Sequence, residues 1–187
     1  MRTRFLSLLA VSACLFTFTS CIEEIGEDLL ISSESGLTQE NLDQGITAMP
    51  KMAYGYLDIQ AATNVADNEL GHQMVVLTVS DVARDGRLRG TSDMMFVNLM
   101  SYGGKIAGTY KIGGNNATED AGIAFINFCS NMNFANGTTD EDIPMNDGDL
   151  IVTENEDGSF KVAMEATAFR FGNVITDFEG ALTPVTQ

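Results

Sequence analysis

This sequence of 187 residues has no tryptophan, one histidine, three cysteines and three prolines, and its ten lysines and arginines face 26 aspartates and glutamates. Each shortage excludes something. One histidine cannot join these scattered cysteines in a Cys/His zinc site, and no HExxH pair exists. No G-x-S-x-G elbow accompanies His72, so its pairing as a base with a hydroxyl such as Ser80 rests on its presence alone. A formal charge of −16 repels polyphosphate and disfavours nucleic acid as a partner. The longest apolar run, Phe5 to Phe18, is about fourteen residues, short of the roughly 20 that a bilayer-spanning helix needs.

That run follows Arg2 and Arg4 and ends at Thr19-Ser20-Cys21, the layout of an export signal. The ending resembles the lipobox of bacterial lipoproteins, where the cysteine is acylated and becomes the new N-terminus. A second match, "VSAC" at Val11 to Cys14, would leave "LFTFTS" as an apolar mature end stranded in water, which favours Cys21. A plain cleaved signal peptide is the alternative reading. The "IEEIGED" after Cys21 resembles the acid-rich export signal of Bacteroidetes lipoproteins, and position 22 is Ile rather than the Asp of inner-membrane retention. The resemblance implies an outer-membrane lipoprotein, surface-exposed, whose first partner is membrane lipid through Cys21.

Loss of residues 1–20 removes two arginines and no acid, leaving eight basic residues against 26 acidic ones and a formal charge of −18. Such a charge keeps an exposed protein in solution and off anionic headgroups. Cys129 then becomes the only thiol besides Cys21, so no internal disulfide forms. With 44% apolar residues over the whole chain, one core of ordinary size can carry the fold. The expected division is a signal peptide over 1–20, an acylated cysteine and acidic tether over 21–50, with a helical turn near Thr38 to Leu42, and one domain over 51–187.

Beyond Met52 the apolar residues recur at every second position. Val75, Leu77 and Val79 share a face with Met74 and Val76 on the other, as in a central strand covered on both sides. Met95, Val97 and Leu99 form a second set; Ile106, Tyr110 and Ile112 a third; Ala124, Ile126 and Phe128 a fourth. Asp157-Gly158 separates two alternating runs, a hairpin signal, and Gly172-Asn173 turns the chain again. Phe160, Val162, Met164, Ala166 and Ala168 then share a face, as do Val174, Thr176, Phe178, Gly180 and Leu182, with Asp177 and Glu179 directed to water. Eight or nine short strands predict an all-β fold: a single antiparallel β-sandwich, jelly-roll-like or a partly open barrel.

The segment Asn131 to Asp149 reads as a long loop. Asp140, Asp142, Asp147 and Asp149 within it offer hard oxygen ligands for calcium, although the EF-hand register is not met and acidic loops are usual in so acidic a chain. No other cofactor is implied. Glu154 and Glu156 are spaced as a carboxylate pair, but flank a tight turn and face solvent. Tyr54, Tyr56, Tyr102 and Tyr110 are the rings on which a sugar could stack, against core packing as the alternative, and Phe134 is the aromatic expected in the exposed loop. The ten methionines read as core filling. Asn116-Ala117-Thr118 and Asn136-Gly137-Thr138 match the glycosylation sequon by accident of composition.

"AYG" at Ala53 to Gly55, "AGTYKI" at Ala107 to Ile112, the "GDLIVTENEDGSFKV" hairpin and "GNVITDFEGAL" resemble a recurring domain of Bacteroidetes surface lipoproteins. The resemblance implies a β-sandwich at the cell surface, often linked to glycan capture or attachment, and supplies no catalytic residue. The expected function is therefore a non-enzymatic binding or adhesion module that uses Tyr54, Tyr56 and Phe134. Alternatives are an accessory subunit of an envelope protein complex and, less favoured, a hydrolase.

Overall fold

A computed structural model describes residues 47–63 and 65–186. The expected signal segment over 1–20, with Cys14, Cys21 and the turn expected at Thr38 to Leu42, lies outside the described residues. Twelve strands and no helix occur among the described residues: β1 (Thr47–Ala48), β2 (Tyr54–Asp58), β3 (Leu70–Thr78), β4 (Ala83–Arg84), β5 (Arg87–Leu88), β6 (Thr91–Tyr102), β7 (Gly108–Ile112), β8 (Gly122–Asn133), β9 (Glu141–Glu154), β10 (Phe160–Ala168), β11 (Gly172–Gly180) and β12 (Leu182–Val185).

The fold is all-β. Ten strands form one curled sheet in the order β1-β11-β10-β9-β7-β8-β6-β3-β2-β12, with β8 also bonded to β9, and β4-β5 form a separate hairpin. Of the expected forms, the partly open barrel describes it. The curl brings the ring of Phe178 on β11 over Gly55 on β2, where a Cβ would stand 2.6 Å from Phe178 Cζ and 2.7 Å from Leu182 Cδ2. Only a residue without a side chain lets the two ends of the sheet pack this closely.

The β9-β10-β11 meander forms as its alternation dictates, with Val162 opposite Val152 and Phe178. Gly158, at φ +80°, makes its first turn. Three pairings, β1 with β11, β12 with β2 and β7 with β8, are parallel and thus depart from the antiparallel expectation. They arise because the chain crosses from β11 at one end of the sheet to β12 at the other, and because the connection 113–121 returns the chain beside β7. Thr47 and Ala48 pair with β11, and Met49 is buried in the core, so these residues belong to the fold rather than to a tether.

Period-two alternation puts one set of side chains on each face of the sheet. The inner set, including Leu77, Met95, Leu99, Ile126, Leu150 and Phe178, forms the main core. The outer set on β2, β3, β6 and β8 forms a second cluster around Tyr56, Val76, Met94 and Cys129, covered by Val82 and Leu88 of the 79–90 connection. The central-strand reading of β3 is thereby met on both faces.

The long loop expected from Asn131 to Asp149 is mostly strand. β8 runs to Asn133 and β9 starts at Glu141, which leaves only 134–140 as a connection. Ile143 and Met145 point inward and are buried, while the polar residues between and beyond them occupy the outward positions. Those residues hid the strand. Between Asp147 and Met145 the register with β10 shifts by one residue, a bulge at which Gly148 (φ +137°) passes so close to β10 that a Cβ would stand 2.2 Å from the Glu165 carbonyl oxygen. Asp177, expected in water, is half-buried, and its Oδ1 and the Oγ1 of neighbouring Thr176 are buried without a hydrogen-bond partner.

Candidate functional site

β6 ends, and β3, β7 and β8 begin, at one end of the sheet, so the connections 59–69, 103–107 and 113–121 converge there. Between them lies a cleft of about 570 Å³, lined by Asp67, Asn68, Tyr102, Lys105, Glu119 and Asp120.

Its walls are fixed by local hydrogen bonding. Tyr110 is buried, and its hydroxyl lies 2.6 Å from the Lys105 carbonyl oxygen and 2.9 Å from that of Ile106, with one proton to donate between them. Ser101 Oγ also donates to the Lys105 carbonyl at 2.8 Å. Burial raises the Tyr110 phenol above its ordinary pKa, which keeps the donating proton in place. The amide of Gly103 donates to Glu69 O, and Gln73 Nε2 donates to Gly104 O at 2.9 Å, tying the second loop to the first and to β3. In the third loop the Thr118 amide donates to Ala121 O and the Ala121 amide to Thr118 Oγ1, a closed turn with Glu119 and Asp120 at its corner.

On the outer face beside this cleft is an apolar shelf. Cross-strand register puts Leu70 opposite Tyr102, Met100 opposite Ile123 and Asn98 opposite Phe125. Leu70, Tyr102 and Phe125 are 42%, 36% and 47% exposed, values unusual for adjacent large apolar side chains. With Asn115 and Asn116 they line a depression of about 390 Å³. Tyr102 borders both spaces. A ligand resting there would meet an exposed ring, an apolar floor and, within one side-chain length, carboxylates, amides and an ammonium group. That combination suits a polyhydroxylated ring, which has apolar C–H faces and hydroxyl edges.

The residues singled out from the sequence are dispersed. Tyr54 is exposed on β2 and lines a smaller cleft with Phe178 and Thr183. Tyr56, two residues on, is only 2% exposed. Its hydroxyl donates to Asp81 Oδ1 at 2.9 Å and accepts the Val82 amide at 3.0 Å, so it clamps the 79–90 connection to the sheet instead of offering a ring to a ligand. Phe134 is half-buried against the outer cluster, beside Met94, Phe96 and Met132. Tyr54, Tyr56 and Phe134 therefore do not form one platform.

The four aspartates considered for calcium are spread along β9 and the residue before it. Asp140 accepts from Asn131 Nδ2, Asp142 from Asn127 Nδ2, Asp147 from the Gly148 amide, and Asp149 from Lys111 Nζ. Seven residues of strand, about 23 Å, separate Asp142 from Asp149. Among the described residues no group of three or more such side chains converges as a metal site would require.

His72 has both ring nitrogens occupied, Nδ1 at 3.1 Å from Ala61 O and Nε2 at 3.0 Å from Asn98 Oδ1. Ser80 follows the opposite end of β3, so these two are not brought together. Glu154 and Glu156 are exposed beside the β9–β10 turn. Asn116 and Asn136 are both exposed, and Met94 and Met95 pack into the outer and inner clusters. Sequence reasoning named Tyr102 without its surroundings and missed Leu70, Phe125, Asp67, Lys105 and Asp120, which no local pattern links. No protein-family model matches this chain, and neither a curated protein nor a solved structure does.

Proposed function

We propose that this chain is a non-enzymatic, lipid-anchored surface protein of the outer membrane, held through acylated Cys21, that binds a glycan at the Tyr102 cleft. The observation that carries the reading is the exposed Tyr102 ring between an apolar shelf and a polar cleft. The sequence-based choice of Tyr54, Tyr56 and Phe134 gives way to Tyr102, with Asp67, Asn68, Glu119 and Asp120 as hydroxyl acceptors and Lys105 as donor.

The test is a glycan-array screen of the mature chain with calcium and again with EDTA. Saturable binding that Tyr102→Ala abolishes and Tyr54→Ala leaves intact is the expected result. Binding that survives Tyr102→Ala overturns the site, and absence of binding to any glycan overturns the ligand class. A second reading, an accessory subunit of an envelope complex, draws on the exposed apolar trio Leu70, Tyr102 and Phe125. It predicts that Phe125→Ser releases a protein partner cross-linked on intact cells.

A further inference from the structure

The Tyr102 cleft and the shelf beside it are two halves of one trough, because the same stretches of chain wall both. Asp67 and Asn68 line the cleft and Leu70 the shelf; Ser101 lines the cleft and Met100 the shelf. Along the 113–121 connection Gly114 to Ala117 border the shelf and Thr118 to Ala121 the cleft, and where β8 begins Gly122 belongs to the cleft and Ile123 to the shelf. Tyr102 borders both, so its exposed ring stands at the junction.

The halves measure about 570 and 390 Å³, and each by itself falls within the range of about 300–1,000 Å³ that small-ligand sites occupy. Their chemistry differs. The shelf has no ionisable side chain besides Tyr102: Met100 and Ile123, paired across β6 and β8, lie between the exposed Leu70 and Phe125, with the amides of Asn115 and Asn116 at the edge. The cleft carries three carboxylates, Asp67, Glu119 and Asp120, against the single ammonium of Lys105. All four groups are exposed, and none forms an ion pair with another described residue. Asp67 and Lys105 share one lip, since Asp67 Oδ1 and Lys105 Cε lie 3.3 and 3.5 Å from the position a Cβ would take at Gly103.

We infer that the trough takes an oligosaccharide of at least two units that bears no negative charge, with one unit in the cleft, the next on the shelf and the linkage between them crossing the Tyr102 ring. The inference rests on the glycan reading proposed above and specifies its ligand. A single unit fills one half only; placed in the cleft, it leaves the apolar surface between Leu70 and Phe125 in contact with water. Joining a second unit makes the shelf contact intramolecular, so two weak contacts combine without a second loss of translational freedom. Charge sets the other limit. A uronate would bring its carboxylate among Asp67, Glu119 and Asp120, where like charge opposes it, whereas hydroxyl and amine groups find acceptors there.

The test is a calorimetric titration of the full-length mature chain with β-linked glucose, mannose and N-acetylglucosamine oligomers of one to four units, and with oligogalacturonates of the same lengths. In a series that binds, the expected gain from one unit to two is about a hundredfold, the lower end of what joining two contacts supplies, and the oligogalacturonates do not bind. Phe125→Ala, at an exposed position that the fold does not need, narrows that gap about tenfold. Glu119→Gln combined with Asp120→Asn admits the oligogalacturonates. A single unit that binds as tightly as two, or an oligogalacturonate that binds the unaltered chain as tightly as a neutral oligomer, overturns the inference and leaves the glycan reading standing. Absence of binding in all four series overturns the inference, and together with a silent glycan array it overturns the glycan reading as well.

Discussion

Replacing Tyr56 by Phe separates a structural tyrosine from a ligand-binding one. The substitution keeps the ring and removes only the hydroxyl that joins Asp81 Oδ1 and the Val82 amide. Val82 is 2% exposed, so its N–H would be left buried without an acceptor. An orphaned buried donor costs about 1–3 kcal/mol, and the bond to the exposed Asp81 carboxylate is lost with it. For a domain of this size that lowers Tm by about 3–10 °C.

The acid limb supplies an independent check. Asp81 is held below the ordinary carboxylate pKa chiefly by the hydrogen bond from Tyr56, then by the Ala83 amide and by Arg84. A carboxyl whose folded pKa is depressed contributes stability above its unfolded value, and that contribution fades as pH falls through the folded value. The gap between wild type and Tyr56→Phe should therefore be full near neutrality and narrow below about pH 4, where Asp81 takes up its proton. Thermal unfolding as a function of pH, with exchange of the Val82 amide followed by NMR, measures both effects. A Phe variant within about 0.5 kcal/mol of wild type at pH 7, the scatter of ordinary surface substitutions, would refute the clamp and restore Tyr56 as a candidate platform.

Burial, then the charge of Asp142, pushes the Cys129 thiol up to about 11, so at pH 8 only about one molecule in a thousand carries the thiolate. Iodoacetamide should leave the native protein unmodified, and the denatured protein should give one thiol if Cys21 is acylated, two if the signal is merely cleaved and three if it is retained; rapid native labelling refutes the burial. Thr176→Val removes the buried, unpartnered Oγ1 and should stabilise by about 1 kcal/mol in chemical denaturation, whereas destabilisation would show that the hydroxyl has a partner in solution. Gly122→Ala places a methyl 2.6 Å from the Met100 carbonyl oxygen and from the Tyr110 ring; it should cost about 1–3 kcal/mol and weaken ligand binding at Tyr102 by shifting Tyr110 off the Lys105 loop. Unchanged denaturation and binding would show that Tyr110 does not set that wall.

The parts of the fold legible in the sequence are those whose partners are neighbours in the chain. Phe160 to Ala168 and Val174 to Phe178 alternate cleanly and are joined by a short turn, so face and pairing follow together. β9 was hidden because only Ile143 and Met145 mark its inner face over its first half, among Asp, Asn, Gly and Pro, a composition that local statistics assign to loops. The parallel pairing of Leu182 with Gly55 joins residues more than a hundred positions apart, and nothing periodic records it. Tyr56 shows the same limit at one residue. Alternation places it on the outer face with Tyr54, but its burial depends on the 79–90 connection, whose Asp-Val-Ala-Arg-Asp-Gly reads as solvated loop.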